Sequence, residues 1–202
     1  MKQKVRLLVG CFVVLLVCLS LSPGSARACV GKTLVLGAVN NPQQQVLAQL
    51  LAVLISERTG TTVKVVNFDN HRQIHQALLK ADLDMYIEYT GAGQVDILHG
   101  EPITDAKQLY QAVKKTYNQD LNLIWLKPLG FSAEGVAPPG VPAEAAPVVR
   151  KDTLKKFPAL ARLINKLGGR VDQDEIRQLE TAAASQPPRR VARAFLKQKR
   201  LI

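Results

Sequence analysis

Cysteine is scarce in this 202-residue sequence, and its placement excludes a disulfide scaffold. Cys11 and Cys18 fall in an N-terminal apolar stretch, which leaves Cys29 alone in the remainder. A single thiol cannot form an internal disulfide, so the fold must rest on its apolar core. Also missing are a cysteine and histidine spacing that would hold zinc, a glycine-rich phosphate loop, and any recognisable set of nucleophile, base and acid. Glu88 is the one carboxylate expected near a ligand, and a lone glutamate is no acid–base pair. An enzyme therefore has no support, and no cofactor or metal is expected. No internal repeat is present.

What is there begins with a leader. Lys2, Lys4 and Arg6 precede the apolar run Leu7 to Leu21, and Pro23-Gly24-Ser25-Ala26-Arg27-Ala28 follows. A basic start, an apolar middle and an A-x-A site predict a signal peptide over residues 1–28, with residues 29–202 as one domain. The run has 15 residues, short of the roughly 20 that cross a membrane, so an uncleaved anchor is the weaker alternative. Cleavage would leave Cys29 first, but a lipid-attachment signal wants a leucine-like residue where Ala26 stands and a small one where Arg27 stands. An exported protein of the periplasm or cell envelope is expected.

Without the leader the net charge of +11 falls by four, to +7. The surplus gathers at Arg189, Arg190, Arg193, Lys197, Lys199 and Arg200. No aromatics are interleaved there to stack on bases, so a solvated helix face, drawn toward anionic lipid head groups, is preferred over a nucleic-acid patch.

Along the chain the periodicities alternate between strand and helix. Lys32 to Gly37 reads as a buried strand. Asn41 caps a helix that opens with Pro42, shows Val46, Leu47, Leu50, Leu51 and Leu54 as its stripe, and ends at Gly60. Thr61 to Asn67 is a second strand, and Asp69 or Asn70 caps a helix to about Lys80. His71 and His75 sit four apart on it, read as exposed surface histidines rather than metal ligands. Asp84-Met85-Tyr86-Ile87-Glu88-Tyr89 alternates as a third strand, broken by Thr90-Gly91-Ala92-Gly93. Strand, helix, strand, helix, strand with short connections is a right-handed parallel unit.

Thr104-Asp105 starts a further helix to Tyr117, and Asn122 to Leu126 forms a strand. Residues 137–147, with four prolines, read as a linker or surface loop. Three helices close the chain, the second opening on a capping box at Asp172 and Glu175. Tyr86 and Tyr89 lie near the carboxyl end of a strand, where open α/β sheets bind ligands, and tyrosine faces suit an organic cation. The same two rings also fit as ordinary strand residues.

The segment Asp84 to Gly91, with its Glu-Tyr-Thr-Gly, resembles the tyrosine-rich stretch of ABC-importer substrate-binding proteins for glycine betaine, choline and related osmoprotectants. Glu144 to Pro158 is similar to that family's return crossover, Val191 to Ile202 to its terminal helix, and Val35 to Leu51 to its first strand, ligand loop and helix. The resemblance implies a type II periplasmic-binding-protein fold. That means an α/β three-layer lobe with a parallel sheet, on which the C-terminal helices pack back. It also implies Tyr86, Tyr89, Thr90, Asn40 and Gln44 as ligand contacts, with Trp125 in the core.

The departures are a valine at 39 where family members carry lysine, and Ser132-Ala133-Glu134-Gly135 where an aromatic-bearing run is usual. Only the proline-rich stretch stands where the family inserts a second lobe. One open lobe leaves an ammonium partly hydrated, and each cation–aromatic contact then contributes about 0.5–1 kcal/mol. A millimolar dissociation constant already needs roughly 4 kcal/mol. The expected partners are a quaternary ammonium solute, an ABC permease subunit, and a second protein chain to close the cleft. The competing reading is an interaction module that keeps the lobe, binds no solute and docks on an envelope protein.

Overall fold

The computed structural model describes residues 33–202, so the expected leader lies outside the described residues. Five strands form one sheet in the order β2-β1-β3-β5-β4: β1 (Leu34–Val39), β2 (Val63–Phe68), β3 (Met85–Tyr89), β4 (Leu123–Trp125) and β5 (Ala145–Arg150). β1 pairs in parallel with β2 and β3, while β5 runs antiparallel to both β3 and β4. Four strands therefore point one way and the returning strand the other. Asp84 joins the layers: its carboxylate accepts from Val35 N–H (2.8 Å) and Thr153 Oγ1–H (2.7 Å).

Helix α1 (Pro42–Thr59) is the centre of the larger core. Asn41 accepts from Gln44 N–H at 2.8 Å, Pro42 occupies the first turn, and Gly60 closes the helix at φ 70°, where a side chain would be strained. Its burial is wider than the five-residue stripe read from the sequence. Val46 to Ala48 and Leu50 to Ile55 are all buried, which is the signature of a helix covered on more than one side.

The sheet covers one side of α1, and the C-terminal helices cover the other. These are α6 (Leu160–Ile164), α7 (Gln173–Ser185) and α8 (Pro188–Gln198), introduced by the short α5 (Lys151–Lys156). They thus pack back on α1 rather than directly on the sheet. At the start of α7, Asp172 and Glu175 each accept from the other's backbone N–H, a complete capping box.

The opposite sheet face carries α2 (His71–Leu79) and α4 (Ala106–Asp120) over a second core containing Ile74, Leu78, Tyr86, Val113, Tyr117 and Trp125. Trp125 is buried there, edge-on to Tyr117. Between β3 and α4 the chain does not break at Thr90. It turns directly into a helical segment, α3 (Thr90–Ala92), which continues as a π-turn over Gly93–Ile97. Gly93 is needed for clearance, since a Cβ there would lie 2.9 Å from the Trp125 ring.

The proline-rich stretch also differs from the linker expected over 137–147. Ala145, Ala146 and Pro147 belong to β5, with Pro147 opposite Ile87 in mid-sheet. Proline is tolerated there because its missing N–H faces β4, not β3. The Pro147 carbonyl points to the same side and accepts from Leu126 N–H (2.9 Å), just past the end of β4. The ladder with β3 loses nothing. Among the described residues no helix is long and apolar enough to cross a membrane.

Candidate functional site

At the carboxyl end of β2 and β3 lies a cleft of about 460 Å³. Its polar lining is the N-cap Asn70, His71 and Arg72 at the start of α2, the buried Glu88 of β3, and Asp96 of the π-turn. Its apolar lining is Ala92, Ile97 and Val136. The volume is in the range of small-solute sites. Asn70 caps α2 by accepting from Gln73 N–H (3.0 Å), so the amides of His71 and Arg72 remain at the helix start, where an anion is favoured.

Behind the polar wall runs a buried chain of hydrogen bonds. Tyr86 OH donates to Glu88 Oε2 (3.0 Å), and His75 Nδ1 lies 3.1 Å from the Tyr86 oxygen. With the tyrosine proton committed to the carboxylate, His75 donates from Nδ1. Glu88 Oε1 accepts from Tyr89 N–H (2.8 Å) and lies 3.1 Å from His71 Nδ1.

The two histidines therefore titrate in opposite directions. Burial lowers the pKa of His75, which the more distant charge of Glu88 does not offset. Burial also works against a charged His71, but contact with Glu88 and the charges of Glu88 and Asp96 outweigh it and raise its pKa above 6.5. His71, 24% exposed, is thus more readily protonated at the cleft than a free histidine, and His75 behind it less readily. Burial pushes the Tyr86 hydroxyl well above its ordinary value, so it remains a donor. Neither histidine is the surface residue expected from the sequence.

None of the five residues expected to touch a ligand is among those lining this cleft. Tyr86 and Tyr89 are 0% and 1% exposed and lie on opposite sheet faces, Tyr86 in the core with α4 and Tyr89 in the core with α1. The expectation of two rings sharing one mouth is corrected by the pleat itself, since residues three apart on a strand face opposite ways. Tyr89 OH donates to Gln43 Oε1, and its ring packs 5.3 Å from that of His71.

Thr90 is buried and bonded to the loop beyond β4, donating to Pro142 O (3.2 Å) and accepting from Glu144 N–H (3.0 Å). Gln44 is buried under β3, its amide 3.4 Å from Ile87 O. Asn40 is exposed, its N–H bonded to Phe68 O (3.0 Å). Of the residues that line the cleft, the sequence reading took His71 for a surface histidine and did not single out Arg72 or Asp96. The signal for His71 was present, because Glu88 shares a face with Tyr86 and both lie beside α2.

The family model for the "substrate binding domain of ABC-type glycine betaine transport system" matches residues 32–139 and 134–198. The chain belongs to this family. Members bind solutes and are not enzymes. Among curated relatives, the ergothioneine transport permease/ergothioneine binding protein EgtU of Helicobacter pylori (strain G27) is 30% identical over 132 residues, 65% of this chain and 24% of that one. The carnitine transport binding protein OpuCC of Listeria monocytogenes is 32% identical over 127 residues, 62% of this chain and 38% of that one.

This chain therefore aligns with well under half the length of these relatives. Two solved structures share the fold at 17% identity. One is a glycine betaine/carnitine/choline ABC transporter protein, with a TM-score of 0.77 over 84% of this chain and 98% of that one. The other is apo YehZ from Escherichia coli, with 0.73 over 85% and 100%. The mixed sheet dominated by parallel strands thus has the periplasmic-binding-protein fold.

Proposed function

We propose that the chain is the solute-capturing component of an ABC importer, exported to the cell envelope, and that its cleft takes a small betaine-type zwitterion with a quaternary ammonium. The observation that carries this is the charge arrangement around one cleft at the carboxyl ends of the strands. A carboxylate fits the start of α2, with its backbone amides, the Arg72 guanidinium and the readily protonated His71. The methylated ammonium fits the apolar lining of Ala92 and Ile97, where the exposed Asp96, next to Ile97 in the chain, supplies a negative charge. Family membership supports the reading, and a permease subunit is the partner that would receive the solute.

The test is thermal shift and calorimetry with glycine betaine, carnitine, proline betaine and choline up to tens of millimolar. The expected result is saturable stabilisation by the three zwitterions, about 1.4 kcal/mol at ten times the dissociation constant. Choline, which has no carboxylate for the α2 end, should bind less tightly, and Arg72→Ala should erase that difference. Silence from all four solutes would end the solute-binding reading.

A further inference from the structure

The chain between β4 and β5 forms a hairpin-like loop with a fixed root. Ser132 and Glu144 make one antiparallel bridge. Ala133 N–H donates to Ala143 O and Ala143 N–H to Ser132 Oγ, both at 2.9 Å. From this root the tip leans over the end of β3. A Cβ on Gly91 would lie 2.5 Å from Ala137 Cβ and 2.7 Å from Pro142 O, so the tip presses on a surface only glycine leaves free.

Thr90 Oγ1 bonds both Pro142 O and Glu144 N–H, tying the tip down beside it. Gly135 and Gly140 bracket Val136–Pro139 at φ +71° and +80°, in conformations that side chains rarely adopt, and both face open space. Val136 lines the cleft together with Ala92 and Ile97, and it packs against the larger apolar core.

We propose that this tip is the second wall of the solute site and that Val136 is a specificity contact, packing on the N-methyl groups of the solute. The inference rests on the solute-binding reading above. It replaces the second protein chain expected from the sequence, because a wall supplied from within lets one monomer bind one solute unaided. The polar wall contributes charge and hydrogen bonds, which do not count methyl groups. The apolar wall does, at about fourfold in affinity for each methyl it buries.

Calorimetric titration of the full chain with glycine betaine, dimethylglycine and sarcosine tests this, with sedimentation to fix the oligomeric state. The wild type should bind glycine betaine tightest, falling about fourfold per methyl removed. Val136→Ser should weaken glycine betaine by about threefold to tenfold and leave sarcosine nearly unchanged, flattening the series, while Val136→Ile keeps the order. Gly91→Ala, outside the cleft, should weaken glycine betaine in the same way by lifting the tip.

An unaltered series in Val136→Ser, or binding by a dimer alone, overturns the wall while leaving solute binding intact. If no solute in the series saturates the wild type, the solute-binding reading falls and takes the wall with it.

Discussion

The two faces of the sheet are built on different principles. Against α1 the contacts are almost wholly apolar, from Leu34 and Leu36 through Leu47, Leu51 and Leu54 to Phe195 and Leu196. Such a face stabilises chiefly by buried apolar area, and a polar atom buried there without a partner, as Gln49 Oε1 on α1 is, comes at a cost. Against α2 and α4 the core also contains Tyr86, Tyr117 and Trp125, with His75 and Glu88 bonded through Tyr86. That polar chain ends at the cleft wall. The first face holds the sheet and helices together, and the second trades some apolar area for placing a histidine against a buried carboxylate at the strand ends.

The contrast can be broken from either side. Leu51→Ala on α1 should have the largest effect, a loss of about 2–5 kcal/mol by chemical denaturation, with solute affinity unchanged. Glu88→Gln keeps the shape but removes the charge that His71 faces and offers its neighbours a weaker acceptor. About 1–3 kcal/mol should be lost, and burial should then pull the His71 pKa below 6.5, as read by its imidazole resonances in NMR titration.

The pH dependence separates the histidines with smaller effects. His71 has a raised folded pKa, so its stabilisation is complete below 6.5 and is lost as pH climbs through the raised value. His75 has a lowered one, so its share is present above 6.5 and is lost as pH falls through the depressed value. Melting temperature against pH should lose its alkaline decline in His71→Gln and its acidic decline in His75→Gln. Least of all, Asp172→Ala removes a capping box remote from the cleft and should cost about 1 kcal/mol with binding and both pH slopes intact.

Much of the fold was legible because its signals are local. Asn41-Pro42, Asn70 and Asp172-x-x-Glu175 start helices where the sequence places them, and each cap is satisfied in the structure. Signals that depend on distant packing misled. Gly91 and Gly93 read as a break, yet they lie on a helical path, and glycine is required there because Ala137 and Trp125, from far along the chain, leave no room for a side chain. Pro147 read as loop because proline in a central strand is rare, and only the early end of β4 makes it harmless.

At the site, aromatic content outweighed strand geometry. Tyr86 and Tyr89 drew attention as a pair, although their spacing of three assigns them to opposite layers. His71 and His75, read as surface, face inward because the adjacent Glu88 and Tyr86 offer them partners.

The root at Ser132 and Glu144 works as a socket. The chain departs and re-enters at touching points, so the span between them can be lengthened without displacing any strand. Closing a larger excursion costs only about 0.6 kcal/mol for each doubling of its length. A longer excursion could therefore stand on the same mounting, leaving the sheet and helices beneath as they are.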